Sequence, residues 1–299
     1  MSRPLVAVVG PTATGKSELA IALCRRMGGE IVNGDALQLY RGMDIGTAKL
    51  PPRQRGGVPH HLVDVLDIDE PASVSRFQRL ARAAIAEVEA RGRVPVLVGG
   101  SGLYVRAVTD DMRFPGTDPQ VRARLEAEAE SQGPGVLHAR LRDLDPPAAQ
   151  RIAPGDPRRI VRALEVIEIT GSPFTAHLPD YTYVRPTVQI GLLLERAILR
   201  RRIEARVHRM WEAGWVDEVV RLRSAGLSTA STAGQAIGYA EILAHLDGDM
   251  TQHEAIERTV IRTRRFAKRQ ETWFRRDPRI HVLPADDPDL VERAVGLTS

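Results

Sequence analysis

The sequence predicts an α/β protein with a parallel-sheet core, an inserted helical domain and a helical C-terminal part. Three observations carry this. Short apolar runs rich in β-branched residues alternate with segments of helical period, the pattern of parallel strands joined by helical crossovers. A glycine-rich loop, Gly10-Pro11-Thr12-Ala13-Thr14-Gly15-Lys16-Ser17, joins the first such run to the first such helix. Between about Arg113 and Pro186 the strand signals stop, and helical segments split by Pro and Gly replace them.

Taken along the chain, the strands are expected at Val6–Val9, Glu30–Val32, Leu62–Val65, Val94–Val98 and Val188–Leu194. Helices are expected at Lys16–Met27, Ser73–Arg91, Gly102–Val108 and Leu199–Ser224. Leu50–Pro59 reads as an exposed loop. In the insert, Asp118–Gln132, Gly135–Leu144, Pro147–Ile152 and Pro157–Thr170 read as helices, followed by an irregular Pro/Tyr stretch, Ser172–Pro186. Residues 1–112 and 187–299 therefore form the core, and 113–186 form the inserted helical domain.

The 299 residues suffice for one large or two medium domains with a real core. No run of 18 apolar residues is present, which excludes a membrane-spanning helix. The first strand begins almost at once and leaves no room for a signal peptide. The only cysteine, Cys24, has no partner for an internal disulfide, and its helical context makes it a buried small hydrophobe. No CxxC or His-rich spacing suggests zinc. A cytoplasmic protein is the expectation.

Residues 10–17 match GxxxxGK[ST] between a strand and a helix, the context that makes the match informative. Gly10 and Gly15 let the backbone curl so that several N–H groups face one anion, and the positive end of the following helix adds to that field. Lys16 can reach a terminal phosphate, and the Ser17 hydroxyl can hold Mg²⁺. The core is thus P-loop NTPase-like. The motif specifies a di- or triphosphate without saying which bond breaks.

Asp35 follows the second strand, where a strand tip faces the phosphate loop. A carboxylate there can bind Mg²⁺ through water, act as a base on a nucleophile near the phosphates, or cap the next turn. Arg41–Lys49 is polar and glycine-containing and reads as a binding loop or a simple connector. The fourth strand ends in Gly99-Gly100-Ser101-Gly102, without the acid that an ATPase or kinase would often place there to hold Mg²⁺. Glycines at that tip admit a ligand closely, and Ser101 can contact a reacting group or cap the next helix.

Charge is uneven. Nine Lys/Arg lie between Arg258 and Arg279, opposed by Glu271 and Asp277 alone, in a chain whose net charge is +4. On a helix, Arg258, Arg262, Arg265, Arg269 and Arg276 share one stripe, opposite an apolar stripe of Ile256, Val260, Ala267 and Phe274. With Trp273 nearby, this is either the footprint of a nucleic-acid binder or a solvated face.

The strings GPTATGKS, NGDALQLYRGMDIGTAK, LVGGSGLY, DPRRIVRALE, QAIGYAE and AKRQETWFR occur in the order seen in tRNA dimethylallyltransferases, which the chain resembles along nearly its whole length. Adenylate dimethylallyltransferases share the core but not the C-terminal set. The resemblance implies transfer of a dimethylallyl group from its diphosphate to N6 of the adenine on the 3′ side of the anticodon, in tRNAs reading codons that begin with U. It implies Mg²⁺ as cofactor, the tRNA anticodon stem-loop and dimethylallyl diphosphate as partners, and a monomer.

Residue by residue, it implies that Gly10, Thr12, Ala13, Thr14, Gly15, Lys16 and Ser17 bind the diphosphate, with Arg202 and Arg206 closing over it. Asp35, Ser101 and Lys16 would be catalytic. The tRNA would meet Asp35, Ala36, Leu37, Gln38 and Ser101 in the core, and Arg122, Arg158, Arg159 and Arg162 in the insert. Further contacts would come from Gln235, Gly238 and Tyr239, and from Lys268, Arg269, Gln270, Trp273 and Arg275. Ser101 stands where relatives often have threonine, Ala36 where serine is common, and Gln235 where some have arginine.

Two other readings compete. A small-molecule or nucleoside kinase explains residues 10–17 but not the basic C-terminal helix. A nucleotide-switched RNA-binding protein explains that helix but leaves Asp35 and Ser101 without a task.

Overall fold

The computed structural model describes residues 3–177 and 181–298. Residues 178–180, within the stretch expected to be irregular, lie outside the described residues. The chain divides into two compact units, Met1–Thr109 with Tyr183–Ser299, and Asp110–Thr182.

In the larger unit β1 (Leu5–Val9), the phosphate-loop motif and α1 (Lys16–Met27) come first. Then follow β2 (Gly29–Asn33), β3 (His60–His61), α2 (Val74–Ala90), β4 (Val94–Gly99) and α3 (Gly102–Thr109). The smaller unit holds α4 (Pro119–Gln132), α5 (Pro134–Leu144), α6 (Pro146–Arg151) and α7 (Pro157–Thr170). Each of these begins with Pro in its first turn, where the missing N–H costs nothing. Their shared core is Leu125, Leu137, Leu141, Ile160 and Leu164. The chain then returns with β5 (Thr187–Leu193), α8 (Arg196–Glu212), α9 (Trp215–Ser224), α10 (Tyr239–Leu246), α11 (Gln252–Phe274), β6 (Ile280–Pro284) and α12 (Leu290–Gly296).

All six strands are parallel, in the order β3-β2-β4-β1-β5-β6. Both faces of the sheet are covered, which explains why β1 is apolar throughout rather than alternating. Leu5, Ala7 and Val9 enter one core, and Val6 and Val8 enter the other with Leu19, Leu23 and Cys24 of α1. Burial pushes the Cys24 thiol up to about 12, so it behaves as the expected inert hydrophobe. From β1 the chain moves to one side of the sheet and later returns to the other, so a crevice opens beyond the carboxyl end of β1.

Three expectations need correction, and one strand is added. The third strand is His60–His61, not Leu62–Val65. Leu62 and Asp64 take positive φ (61° and 59°), which an extended strand cannot accommodate. The helix expected over Leu199–Ser224 breaks at Ala213 and Gly214, where Gly214 (φ 90°) redirects the chain into α9. The added strand, β6 at Ile280–Pro284, pairs in parallel with β5 at the edge of the sheet, and Leu283 is its one buried residue. Leu50–Pro59 is only partly exposed: Val58 is buried, and Arg55 Nε donates to the Leu50 carbonyl (2.9 Å).

Candidate active site

Three strand tips build the site. The loop after β1 curls over its own helix: Thr14 Oγ1 donates to the Pro11 carbonyl (2.8 Å), and Ala13 and Gly15 take positive φ. The tips after β2 and β4 touch backbone to backbone. Gly34 N donates to the Val98 carbonyl (2.7 Å), and a Cβ placed on Gly99 would come within 2.7 Å of the Gly34 carbonyl oxygen. This close approach sets Asp35 beside the phosphate loop. The Asp35 amide donates to Asn33 Oδ1 (2.9 Å), and its own Oδ1 accepts from the Leu37 amide (2.9 Å), so the carboxylate also caps the 3₁₀ turn Ala36–Leu39.

Beyond these tips lies a cleft of about 830 Å³, open to solvent, whose walls include Thr12, Lys16, Ser17, Asp35, Gln38 and Arg206. Lys16 and Arg206 face the carboxylate of Asp35 across it. Burial, and next the Arg206 guanidinium, bring Lys16 down to about 8, while Asp35 and Glu18 pull it partly back. Burial raises Asp35 above the ordinary carboxylate range, against the Leu37 amide, Lys16 and Arg206. Lys16 Nζ rests on the Pro11 carbonyl (2.6 Å). A carboxylate that binds a proton more readily, beside a lysine that releases one more readily, is the electrostatic mark of a reacting site. Burial likewise lifts Tyr104 to about 12, with Tyr40 and Asp35 adding to the shift.

The glycines after β4 serve the protein rather than a ligand. Gly99 meets Gly34; Gly100 faces the Gln270 amide; and a Cβ on Gly102 would stand 1.8 Å from Trp273 Cδ1. Gly100 lines the cleft, whereas Ser101 sits half-buried at the head of α3 and does not. Arg206 lines it from α8; Arg202, one turn earlier, is exposed and does not.

The loop read as a binding segment forms the next wall. Gln38 Nε2 donates to the Thr47 carbonyl (3.1 Å). Lys49, buried, binds the Tyr40 carbonyl (2.9 Å) and the carboxylates of Asp44 and Asp64 (2.6 Å each). Behind it, Glu218 accepts from the amides of Asp44 (3.0 Å) and Ile45 (2.7 Å). Lys49, Arg55, His60 and Phe266 all line the cleft and were missed by sequence reasoning. Lys49 alone carried a signal, as the last residue of the polar loop.

The residues assigned to tRNA by resemblance divide sharply. Lys268, Arg269 and Trp273 are exposed on α11, as are Arg258 and Arg265, while exposed Arg275 and Arg276 follow its end at Phe274, so the stripe expected to run to Arg276 stops before it. Gln235, Arg158 and Arg159 are also exposed, and Ala36 and Leu37 are half-buried. Tyr239 is buried and donates to Glu218 Oε1 (2.7 Å), so its hydroxyl faces the core, not a nucleic acid. Gly238 is buried against the Trp215 ring. Gln270 is buried between the strand tips. In the smaller unit, Arg122 and Arg162 both bind the carboxylate of Glu165 (2.7 Å each), whose side chain is 0% exposed. Arg162 also donates to the Pro115 carbonyl (2.7 Å). These two arginines neutralise a buried charge that would otherwise be very costly. On α11, Arg262 does the same for buried Glu241, so the basic stripe is less uniform than its sequence suggested.

Among the described residues no cluster of three His, Cys, Asp or Glu side chains could hold a metal ion. Among the described residues no helix is long and apolar enough to cross a membrane.

Comparison with known proteins gives a consistent picture. Residues 38–277 match the family model described as IPP transferase, and residues 4–58 match Isopentenyl transferase. The tRNA dimethylallyltransferase of Thermobifida fusca is 62% identical over 298 residues, covering 98% of this chain and 93% of the relative. That of Streptomyces coelicolor is 59% identical over 296 residues, covering 98% and 95%. The crystal structure of the full-length tRNA isopentenylpyrophosphate transferase from Bacillus halodurans superposes with a TM-score of 0.72 at 43% identity, covering 99% of this chain and 94% of that one. A eukaryotic dimethylallyltransferase acting on tRNA superposes with a TM-score of 0.85 at 29% identity, covering 98% and 78%.

Proposed function

This chain belongs to the tRNA dimethylallyltransferase family, and from that premise we propose how its cleft performs the reaction. The enzyme transfers a dimethylallyl group to tRNA. The donor is dimethylallyl diphosphate, and the acceptor is N6 of the adenine 3′ to the anticodon in tRNAs that read codons beginning with U. The observation that supports this most directly is the joint presence of Lys16, Arg206 and a burial-raised Asp35 in one cleft over a phosphate loop.

In the reaction a bond forms between N6 and the allylic carbon while the bond from that carbon to the diphosphate oxygen breaks. The exocyclic amine is a poor nucleophile, because its lone pair is delocalised into the ring. The Asp35 carboxylate accepts the N–H proton as the new bond grows. Lys16, the loop amides and Arg206 stabilise the charge gathering on the departing diphosphate. The adenine must leave the anticodon stack to arrive, at a cost of a few kcal/mol. Exposed cations on α11 and in the insert bind RNA phosphates.

Mg²⁺ fits a donor set of this kind, since it favours substrate phosphate oxygens over an all-protein cage and Ser17 lines the cleft with a hydroxyl. It would supply charge neutralisation on the diphosphate. The enzyme acts as a monomer in the cytoplasm. The test is incubation of the protein with unmodified tRNA and isotope-labelled dimethylallyl diphosphate, followed by mass spectrometry of the nucleosides. Label on the adenosine 3′ to the anticodon is expected; label on another nucleoside, or none, would overturn the reading.

A further inference from the structure

We infer that Gln270 is a positioning residue for this transfer, holding the phosphate loop against the tip after β4 from the helix that bears the basic face. The inference rests on the reaction proposed above. Gln270 is 6% exposed, although its neighbours Lys268 and Arg269 are exposed. Its Oε1 accepts from the Thr12 amide (3.0 Å), and its Nε2 donates to the Gly100 carbonyl (2.8 Å). Both partners are backbone groups of fixed polarity, so the orientation of the side-chain amide is dictated rather than chosen. A Cβ on Gly100 would fall 2.3 Å from Nε2, so the tip has no side chain where this amide enters. One turn earlier on the same helix, Phe266 lines the cleft.

The consequence is geometric. The Thr12 N–H is taken by Gln270, so it does not turn toward an anion. The curl of the loop is therefore set by the protein before the diphosphate arrives, and preorganisation of this kind is what stabilises developing charge. The same amide fixes Gly100, which lines the cleft and follows Gly99, packed against Gly34 beside Asp35. One buried side chain thus registers the leaving-group site against the acceptor site, and a misplacement of about 1 Å can cost a factor on the order of 10² in rate.

The experiment compares Gln270→Met and Gln270→Glu with wild type. Gln270→Met removes both hydrogen bonds at similar volume. Single-turnover transfer at saturating substrates should fall roughly 10–100-fold, while tRNA affinity by filter binding stays within about two-fold of wild type. Gln270→Glu keeps the acceptor for Thr12 and, when its carboxyl is protonated, the donor for Gly100. Its rate relative to wild type should therefore rise as pH falls, a response that loss of packing alone does not give, and this ratio decides the matter if Gln270→Met does not fold. Weakened tRNA binding with unchanged single-turnover rate would make Gln270 a tRNA contact and overturn the inference. So would a Gln270→Glu ratio that is flat with pH. If wild type itself leaves tRNA unmodified, the proposed reaction fails instead, and the two failures are distinguishable.

Discussion

Tyr239 donates its hydroxyl hydrogen to Glu218 Oε1 at 2.7 Å, inside the protein, and the same carboxylate holds the amides of Asp44, Ile45 and Gly46. One buried carboxylate thereby fixes the turn that begins the wall ending in Lys49, and α9 and α10 are locked to it. The arrangement resembles an N-cap in its logic: a charge is tolerated because several donors converge on it.

The Tyr239→Phe variant should lose about 1.5–3 kcal/mol of stability, the range for a hydrogen bond to a charged group. Its KM for tRNA should be unchanged, because the hydroxyl faces Glu218. Urea unfolding together with tRNA kinetics checks both. A raised KM at unaltered stability would restore Tyr239 as an RNA contact.

The basic helix should separate into two classes of arginine. Arg265 and Arg269 are exposed, and each neutralisation to Gln should shallow the log–log salt dependence of tRNA binding by about one unit or somewhat less. Arg262, itself half-exposed, compensates Glu241, whose side chain is 2% exposed, so Arg262→Gln should instead cost about 1–3 kcal/mol of stability. Salt titrations of tRNA binding and denaturant curves would expose any exchange of these two behaviours.

The pH dependence of kcat/KM should be bell-shaped. Lys16 is charged below about 8 and loses its charge as pH rises through that value, which sets the alkaline limb. Asp35 must be ionised to act as base, and its raised pKa sets the acid limb above the ordinary carboxylate range. Because Arg206 is the leading charge that lowers Lys16, Arg206→Gln should move the alkaline limb to higher pH while slowing the reaction. An unmoved limb would remove Lys16 as its source.

Ionised Asp35 should also burden the fold. Its pKa is raised in the folded protein, so its contribution favours folding below the unfolded pKa and is lost as pH rises through the folded value. At neutral pH, Asp35→Asn keeps the acceptor for the Leu37 amide and removes the desolvated charge, and should therefore raise the melting temperature. A lower melting temperature would mean that Lys16 and Arg206 more than compensate the burial.

Local signals made the centre of the site legible. The phosphate loop and Asp35 needed only sequence order, because glycine geometry and the end of a strand fix where they lie. The walls were not legible, since they depend on which residues a helix buries. Gln270, Tyr239, Arg122 and Arg162 are assigned to tRNA by resemblance, yet each is committed to a partner inside the protein. Charge patterning cannot distinguish an arginine over a buried glutamate from one facing solvent, as Arg262 and Arg265 demonstrate on a single helix. The short strand at His60–His61 escaped for a related reason: periodicity marked the apolar run just after it, where Leu62 and Asp64 turn the chain.

The central claim is that Asp35 takes the proton from the adenine amine. Its most direct test is the single-turnover rate of dimethylallyl transfer by Asp35→Asn, with tRNA and dimethylallyl diphosphate both saturating and their affinities measured separately. The account expects both substrates to bind nearly as in wild type and the rate to fall roughly 10²–10⁴-fold, the usual contribution of a general base. A variant that folds, binds both substrates and transfers at the wild-type rate would contradict it.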